Sequence, residues 1–242
     1  MLIAGGRGTR LAAVTAGAPK VLVHIAGRPL LDWVLALLAE LGVTSVHLCL
    51  GHGAEQVLAH LAATPQPVPT ITSTVERAPQ GTAGCLRLAA PYLEPEFALL
   101  LGDTYTPVDF VRLATRWRES RAAAGMVVLR NEDRLVPSNV DVAGDRVVRY
   151  DKTAGPGALT YVDFGIAFFR RVVVSRIDPT GAVDLGTLFQ DLIRDGELAA
   201  LPVTERFYEI GSPAGHAELC RLADEGRIRV PAAVPMHPGP VG

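Results

Sequence analysis

The first residues that could do chemistry form a glycine-rich loop directly after a very short apolar segment, Met1–Ala4. The loop reads Gly5-Gly6-Arg7-Gly8-Thr9-Arg10. Glycines that follow a strand let backbone N–H groups approach a phosphate closely. The spacing is neither the G-x-G-x-x-G of dinucleotide-binding loops nor a P-loop. The two arginines, with Lys20 about one helix later, predict a cationic pocket for a triphosphate; a glycine turn with solvated arginines is the alternative.

A carboxylate stands at the end of a second apolar segment, where Leu99-Leu100-Leu101 runs into Gly102-Asp103. Open α/β sheets bind ligands at the carboxyl ends of their strands. Mg²⁺ takes one or two carboxylates together with substrate phosphates. Asp103 is therefore a candidate magnesium ligand, with a helix N-cap or loop aspartate as the alternative. The sequence Asp103-Thr104-Tyr105 contains no Asp-x-Asp, which disfavours a glycosyltransferase-type metal motif.

A third segment, Glu76-Arg77-Ala78-Pro79-Gln80-Gly81-Thr82-Ala83-Gly84, is rich in turn residues and opens a predicted helix. Such a turn can present backbone groups to a flat nucleotide base, and an ordinary strand–helix connection is the alternative. The six histidines show no metal-ligand spacing and no pairing with a nucleophile. The three cysteines are far apart and form no CxxC, which indicates reduced thiols in a cytoplasmic protein.

The elements that must position these residues alternate between strands and helices. Strands are predicted at Val43–Leu50, Thr70–Val75, Phe97–Leu101 and Met126–Leu129, and helices at Leu30–Leu41, Ala54–Leu61, Thr82–Leu93 and Phe110–Ala123. This alternation predicts an α/β fold, with a mostly parallel sheet covered by helices on both faces. From Asn139 the pattern changes to a hairpin, Val140–Val148, and later elements are predicted at Tyr161–Phe169, Asp184–Arg194, Leu198–Val203, Arg206–Ile210 and Ala214–Ala223.

The composition limits the classes of partner. A chain of 242 residues with 49% hydrophobic residues fits one globular domain. Its net charge of −2 disfavours nucleic acid as the main partner, because such proteins are expected to be clearly basic. The sequence shows no signal peptide and no membrane-spanning stretch, so neither a membrane nor an exported location is expected.

Taken together, the segments resemble the sugar-1-phosphate nucleotidyltransferase family, the NDP-sugar pyrophosphorylases. The family's opening signature is matched by Gly5–Leu11 followed by Pro19-Lys20, its base-binding segment by Glu76–Gly84, and its metal-binding Gly-Asp by Gly102-Asp103. The length is most similar to small single-domain members of the heptose 1-phosphate guanylyltransferase type. The resemblance implies a Rossmann-like, GT-A-like fold that joins an NTP to a sugar 1-phosphate with Mg²⁺ and releases pyrophosphate.

The resemblance also implies a role for individual residues. Arg10 and Lys20 would be catalytic, and Asp103 with Glu209 would hold the metal. The nucleotide would be bound by Ala4, Gly5, Gly6, Gly8, Thr9, Gln80, Gly81, Thr82 and Gly102. The sugar would be bound by Asn139, Asp151, Lys152, Asp163 and Gly165. One domain, 1–229, would comprise a nucleotide-binding part at about 1–130 and a sugar-binding part at about 131–212, followed by a proline-rich tail at 230–242.

Several residues depart from the family pattern, and most of them lie on the sugar side. Glu209 stands where Asp is usual, Asp163 where Asn is usual, and Asn139 where Gly is frequent, while Phe164 is bulkier than the usual residue. GTP with a heptose or hexose 1-phosphate is the substrate pair that the resemblance favours, although the residues alone fix neither base nor sugar. A non-catalytic NDP-sugar-binding regulatory subunit on the same fold is the alternative function. The oligomeric state stays open, with a homo-oligomer among the arrangements considered.

Overall fold

The computed structural model describes residues 1–6, 8, 11, 15, 17–228 and 231. Its strands are β1 (Leu2–Ile3), β2 (His24–Ile25), β3 (Arg28–Pro29), β4 (Ser45–Leu50), β5 (Thr70–Val75), β6 (Glu96–Leu101), β7 (Thr104–Tyr105), β8 (Ala124–Arg130), β9 (Val140–Ala143), β10 (Arg146–Tyr150), β11 (Tyr161–Arg170), β12 (Leu198–Val203) and β13 (Tyr208–Glu209). Its α-helices are α1 (Leu30–Glu40), α2 (Ala54–Ala63), α3 (Gly81–Ala89), α4 (Phe110–Ser120), α5 (Leu185–Arg194) and α6 (Pro213–Asp224). Short 3₁₀ turns lie at Lys20–Leu22, Ala90–Tyr92 and Arg171–Arg176.

A nine-stranded mixed sheet organises the described part of the chain, in the order β5-β4-β1-β6-β11-β8-β12-β10-β9. The strands β5, β4, β1 and β6 are parallel, as are β8 and β12. Strand β11 runs antiparallel to both β6 and β8. This arrangement confirms the predicted α/β fold, because crossover helices join the parallel strands of the first half.

Helices cover both faces of the sheet, as predicted. One apolar core lies between the sheet and α1, α2, α4 and α6, and it includes the fully buried Trp33 and Trp117. The other core lies on the opposite face against α3 and α5 and includes Phe169 and Phe189, whose rings stack. Buried aromatic side chains remove large apolar areas from water, so these two layers contribute much of the stability.

Two helices end earlier than their sequence patterns predict. Helix α3 stops at Ala89 rather than at Leu93, because Pro91 has no N–H to continue the ladder, and a 3₁₀ turn follows. Helix α4 stops at Ser120 rather than at Ala123, because Arg121 adopts a left-handed conformation with φ 58°. At its other end the Asp109 side chain accepts the Arg112 N–H at 2.9 Å, an N-cap.

The short strand β13 replaces the longer strand predicted at Arg206–Ile210. It pairs with β7, which the sequence pattern does not predict, so that Tyr208 faces Tyr105 and Glu209 faces Thr104. The proline-rich tail lies outside the described residues, except for Pro231. Among the helices described here, none is long and apolar enough to cross a membrane.

Candidate active site

A cavity opens where four parallel strands end at the same edge of the sheet. The residues just after β1, β4 and β5 supply most of its wall, and the first turn of α3 closes it. Its volume is about 460 Å³, and it is lined by Ile3, Gly5, Gly6, Gly51, His52, Glu76, Arg77, Ala78, Pro79, Gly81, Thr82 and Cys85. A cavity of this size at this edge of an α/β sheet is suited to a small ligand.

Among the described residues that line this cavity, Glu76 is the one carboxylate. Its Oε2 accepts the backbone N–H of Gln80 at 2.9 Å. Its Oε1 lies beside two glycines, since a Cβ atom added to Gly51 would be 2.7 Å from it and one added to Gly5 would be 3.3 Å away. The carboxylate is thus held by one oxygen, while the other oxygen adjoins the glycine wall of the cavity.

A second group of charges lies where β6 ends. Gly102 donates its N–H to the Ile3 carbonyl at 2.8 Å, which aligns the ends of β1 and β6. The next residue, Asp103, forms an ion pair with Lys20, whose Nζ lies 3.1 Å from Asp103 Oδ2. The stem of Lys20 passes over Gly8, whose φ is +61° and where a Cβ would be 2.7 Å from Lys20 Cγ. Glycine at this position therefore allows the lysine to reach the carboxylate.

The backbone of Glu209 lies next to the chain at Asp103, because the Ile210 N–H donates to the Asp103 carbonyl at 2.9 Å. In this structure the Glu209 carboxylate accepts the Gly211 N–H and the Ser212 hydroxyl. Ser212 in turn caps α6 by accepting the Gly215 N–H at 3.1 Å. Both oxygens of Glu209 are therefore engaged at the start of α6, where the helix dipole favours a negative charge.

Three of the predicted sugar-side residues are brought together by β9, β10 and β11. Asn139 Oδ1 accepts the Asp163 N–H, and the Asn139 carbonyl accepts the Asp151 N–H, each at 2.9 Å. Asp163 accepts the Gly165 N–H at 2.9 Å and the Tyr150 hydroxyl at 3.4 Å. Burial raises the pKa of Asp163. The hydroxyl and N–H of Thr153 lower the pKa of the exposed Asp151, with a further contribution from Arg149.

Lys152 stands at the junction between the two halves of the site. Its ammonium lies 5.7 Å from the centre of the Tyr150 ring and 3.6 Å from Asp184 Oδ1. The other oxygen of Asp184 accepts the Thr82 hydroxyl at 3.2 Å. Asp184 therefore connects the predicted sugar-side lysine to a threonine that lines the cavity.

Comparison with known proteins shows the family of the chain. The model of the family described as "Nucleotidyl transferase" matches residues 1–213. The chain belongs to the nucleotidyl transferase family. This confirms the membership that the three sequence motifs predict.

Individual relatives of this family are distant in sequence. A putative mannose-1-phosphate guanyltransferase of Sulfolobus acidocaldarius is 26% identical over 224 residues, 90% of this chain and 61% of that protein. The N-acetylmuramate alpha-1-phosphate uridylyltransferase of Neisseria meningitidis is 25% identical over 238 residues, 93% of this chain and 95% of that protein. The chain spans less than two thirds of the length of several curated relatives that it matches.

The fold is shared with solved structures. The crystal structure of HddC from Yersinia pseudotuberculosis superposes with a TM-score of 0.77 at 22% identity, and the match covers 91% of this chain and 96% of that one. HddC has also been solved in complex with GMP-PN. At this identity the likeness shows the fold alone.

The structure brings many of the predicted family residues to one edge of the sheet. Gly5, Gly6, Gly81 and Thr82 line the cavity, while Ala4, Gly8, Gly102, Lys20 and Asp103 lie at the neighbouring strand ends. Gln80 does not line the cavity, since its side-chain oxygen accepts from Arg87 at 2.9 Å. Thr9 and Arg10 lie outside the described residues. The roles of all these residues remain predictions.

Sequence reasoning assigned no individual role to some residues that the structure places at the site. Glu76 belongs to the segment Glu76–Gly84, which matches the family's base-binding motif, so the sequence does point to it. Gly51 and His52 directly follow a predicted strand, which is the position where α/β sheets hold ligands. Asp184 carries no comparable signal, because its partner Thr82 is 102 residues away.

Proposed function

We propose that this chain transfers the nucleotidyl group of an NTP, preferably GTP, to the phosphate of a sugar 1-phosphate. An oxygen of the sugar phosphate forms a bond to the α-phosphorus, the bond between that phosphorus and the bridging oxygen to the β-phosphorus breaks, and pyrophosphate leaves. The observation that carries this proposal is a nucleoside-sized cavity with a carboxylate, next to a lysine–aspartate pair at the same sheet edge.

The cavity suits a base better than a phosphate. Among the described residues that line it there is no lysine, and their single arginine, Arg77, is exposed. A carboxylate is an acceptor only, so Glu76 favours a base edge that carries donors. Guanine carries two adjacent donors, N1–H and the N2 amino group, whereas uracil and thymine present a single N–H between two carbonyl oxygens. Glu76 therefore supports guanine as the preferred base.

The phosphates would extend from the cavity towards Lys20. Its ammonium donates a hydrogen bond to Asp103 Oδ2 at 3.1 Å. A triphosphate would therefore find a cation already held at the strand end. The attacking sugar phosphate is already an anion, so the reaction needs no general base. The work of the protein is positioning and charge stabilisation, for which Lys20 and, from the resemblance, Arg10 are proposed.

The donor chemistry of the site fits a magnesium ion. Asp103 presents hard carboxylate oxygens at the end of β6, and Glu209 presents another pair on the adjoining β13. Glu209 fits this role only if its carboxylate gives up its hydrogen bonds at the start of α6. Mg²⁺, when bound, neutralises charge on phosphate oxygens. In this structure Lys20 Nζ lies 3.1 Å from Asp103 Oδ2, and the Thr104 hydroxyl donates to Asp103 Oδ1 at 3.3 Å.

On the sugar side, we propose that Asn139, Asp151, Asp163 and Gly165 receive the hydroxyl groups and that Lys152 meets the phosphate. The support is their mutual hydrogen bonding around β11 and the exposed position of the lysine ammonium. Asp163 accepts hydrogen bonds from the Gly165 backbone N–H and from the Tyr150 hydroxyl, and these bonds fix the position of its carboxylate on the sugar side. A heptose or hexose 1-phosphate is the proposed class of acceptor.

The test is pyrophosphate release in the presence of Mg²⁺, with four NTPs combined with a panel of hexose and heptose 1-phosphates. We expect release with GTP and one sugar 1-phosphate, at a rate that depends on Mg²⁺. Release with UTP in preference to GTP would refute the choice of base and leave the reaction class intact.

One observation favours a second candidate, a non-catalytic subunit that binds NDP-sugars. Both oxygens of Glu209, the predicted second metal ligand, accept hydrogen bonds, from the Gly211 N–H and from the hydroxyl of Ser212, the N-cap residue of α6. A subunit of this kind would bind an NDP-sugar tightly in a calorimetric titration and release no pyrophosphate with any substrate pair. Pyrophosphate release would exclude it.

A further inference from the structure

The first turn of α3, which closes the cavity, is capped by a segment about a hundred residues away in the chain. The side chain of Gln80, its N-cap residue, makes no capping hydrogen bond. Instead, the N–H groups of Ala83 and Gly84 donate to the Val183 carbonyl at 2.9 and 3.3 Å, and the Val183 N–H donates to the Gln80 carbonyl at 2.8 Å. The segment 178–184 thus satisfies donors that a helix start leaves without partners.

This contact is very close. Gly81 has a φ of +74°, and a Cβ there would be 2.3 Å from the Val183 carbonyl oxygen, so only glycine fits. The next residue, Thr82, donates its hydroxyl to Asp184 at 3.2 Å and accepts the Leu185 N–H at 2.7 Å. The part of the cavity wall formed by Gly81 and Thr82 is therefore built directly on the segment 178–184.

Arg87, further along α3, fastens the two sides of this contact together. Its guanidinium donates to Gln80 Oε1 at 2.9 Å on one side. On the other side it donates to the Asp178 carbonyl and reaches the Gly181 carbonyl at 3.5 Å. Arg87 does not line the cavity itself. The planar fork of an arginine can join several acceptors at once, which a lysine does less well.

We propose that Arg87 is a positioning residue that sets the base selectivity of the nucleotide site. Arg87 donates a hydrogen bond to the Gln80 side chain, and the backbone N–H of Gln80 donates to Glu76 Oε2, 2.9 Å away. Arg87 is thus connected to Glu76 through Gln80. The same arginine holds the segment on which Gly81 and Thr82 rest. This inference rests on the proposed function, because it takes the cavity as the binding site of the base and Glu76 as the residue that accepts hydrogen bonds from the base.

The experiment compares Arg87→Ala and Arg87→Lys with Arg116→Ala as the matched control. Arg116 also lies on a helix and donates to a strand carbonyl, that of Pro202 at 3.1 Å, at a place that does not line the cavity. The primary measurement is calorimetric binding of GTP and of UTP with Mg²⁺, which does not depend on turnover. Melting temperatures and, where the wild type turns over, KM for the NTP and for the sugar 1-phosphate complete the set.

We expect Arg87→Ala to lower the ratio of GTP affinity to UTP affinity about tenfold, the equivalent of one hydrogen bond to a charged group. Arg87→Lys should fall between wild type and Arg87→Ala, and Arg116→Ala should keep the wild-type ratio. In turnover, the KM for the sugar 1-phosphate should stay within about twofold, because Arg87 reaches the predicted sugar side indirectly, through the exposed Lys152–Asp184 pair.

An unchanged ratio in folded Arg87→Ala, or equal losses for GTP and UTP, would overturn the proposal. If Arg87→Ala does not fold, Gln80→Leu, which removes the acceptor and keeps the arginine, must show the same loss of selectivity. Failure of the proposed function has another signature: the wild type would bind nucleotide with a base preference and yet release no pyrophosphate. A wild type without any preference for GTP over UTP would refute the role of Arg87 as well.

Discussion

Substitution of Glu76 by Gln tests how the base is chosen. The change keeps the size of the side chain and replaces one carboxylate oxygen by an NH₂ group. Since one oxygen is needed by the Gln80 N–H, at 2.9 Å, the amide oxygen of the variant should stay there. The NH₂ group would then occupy the place of Oε1, beside Gly5 and Gly51. A guanine donor that met an acceptor in the wild type would meet another donor in the variant.

The magnitude follows from the loss of one hydrogen bond to a charged acceptor. Such a bond contributes about 1.5–3 kcal/mol, so kcat/KM for GTP should fall about 10- to 150-fold. UTP presents a single N–H between carbonyl oxygens, and a carbonyl can accept from the new NH₂ group. Its kcat/KM should therefore fall much less, and the GTP-to-UTP ratio should change by the same order as GTP itself.

The assay is initial-rate pyrophosphate release with each NTP at a saturating sugar 1-phosphate. Glu94→Gln is the matched control, because Glu94 is exposed and does not line the cavity. Equal losses with GTP and UTP would show that Glu76 only holds the loop through Gln80. If Glu76→Gln keeps its preference for GTP, Glu76 is not the residue that selects the base.

Further predictions concern the charges of the site. Asp103→Asn should lower Mg²⁺-dependent pyrophosphate release by at least about 100-fold while the melting temperature changes little, and near-normal activity would remove Asp103 from the site. Glu209→Gln should raise the Mg²⁺ concentration needed for half-maximal rate if Glu209 binds metal, and an unchanged requirement would leave it only its contacts with Gly211 and Ser212. Asp163→Asn should raise the stability at pH 7, because burial disfavours the charged form of this carboxyl. Folding raises the pKa of Asp163, so the protonated carboxyl of the wild type is stable at low pH and loses stability as pH rises through its folded pKa. The stability gained by Asp163→Asn should therefore vanish in urea melts at low pH. A gain that is the same at every pH would refute burial of the charge as its cause.

Periodicity in the sequence predicts the individual elements of the fold well. The apolar residues from Leu30 to Leu41 predict a helix, and α1 spans Leu30–Glu40. The hairpin predicted around Gly144-Asp145 is confirmed, since β9 and β10 pair with Ala143 opposite Arg146. These elements depend on contacts between neighbours in the chain. The errors in α3 and α4, by contrast, arise where single residues, Pro91 and Arg121, end the helix before the apolar pattern ends.

Contacts between distant residues could not be predicted in the same way. The pairing of β13 with β7, which brings Glu209 next to the strand end at Asp103, joins two-residue strands that are too short to give a pattern. Likewise, nothing near Thr82 in the sequence indicates that Asp184 and Val183 complete its surroundings. The motifs predict which residues form the site, and the walls between them follow only from the three-dimensional packing.

The direction of a single strand explains how the two halves of the site meet. Strand β11 runs antiparallel to β6, with Ile166 opposite Leu100, so the residues that precede Ile166 lie beyond the carboxyl end of β6. Gly165 is there, with φ +80° and an added Cβ 3.5 Å from Thr104 Oγ1, at an irregularity of the pairing between β11 and β8. A parallel β11 would carry Asp163 to the opposite edge of the sheet. Because it is antiparallel, Asp163 and Gly165, predicted to bind the sugar, lie at the edge that holds Asp103, Lys20 and the cavity, as the proposed attack of a sugar phosphate on a bound NTP requires.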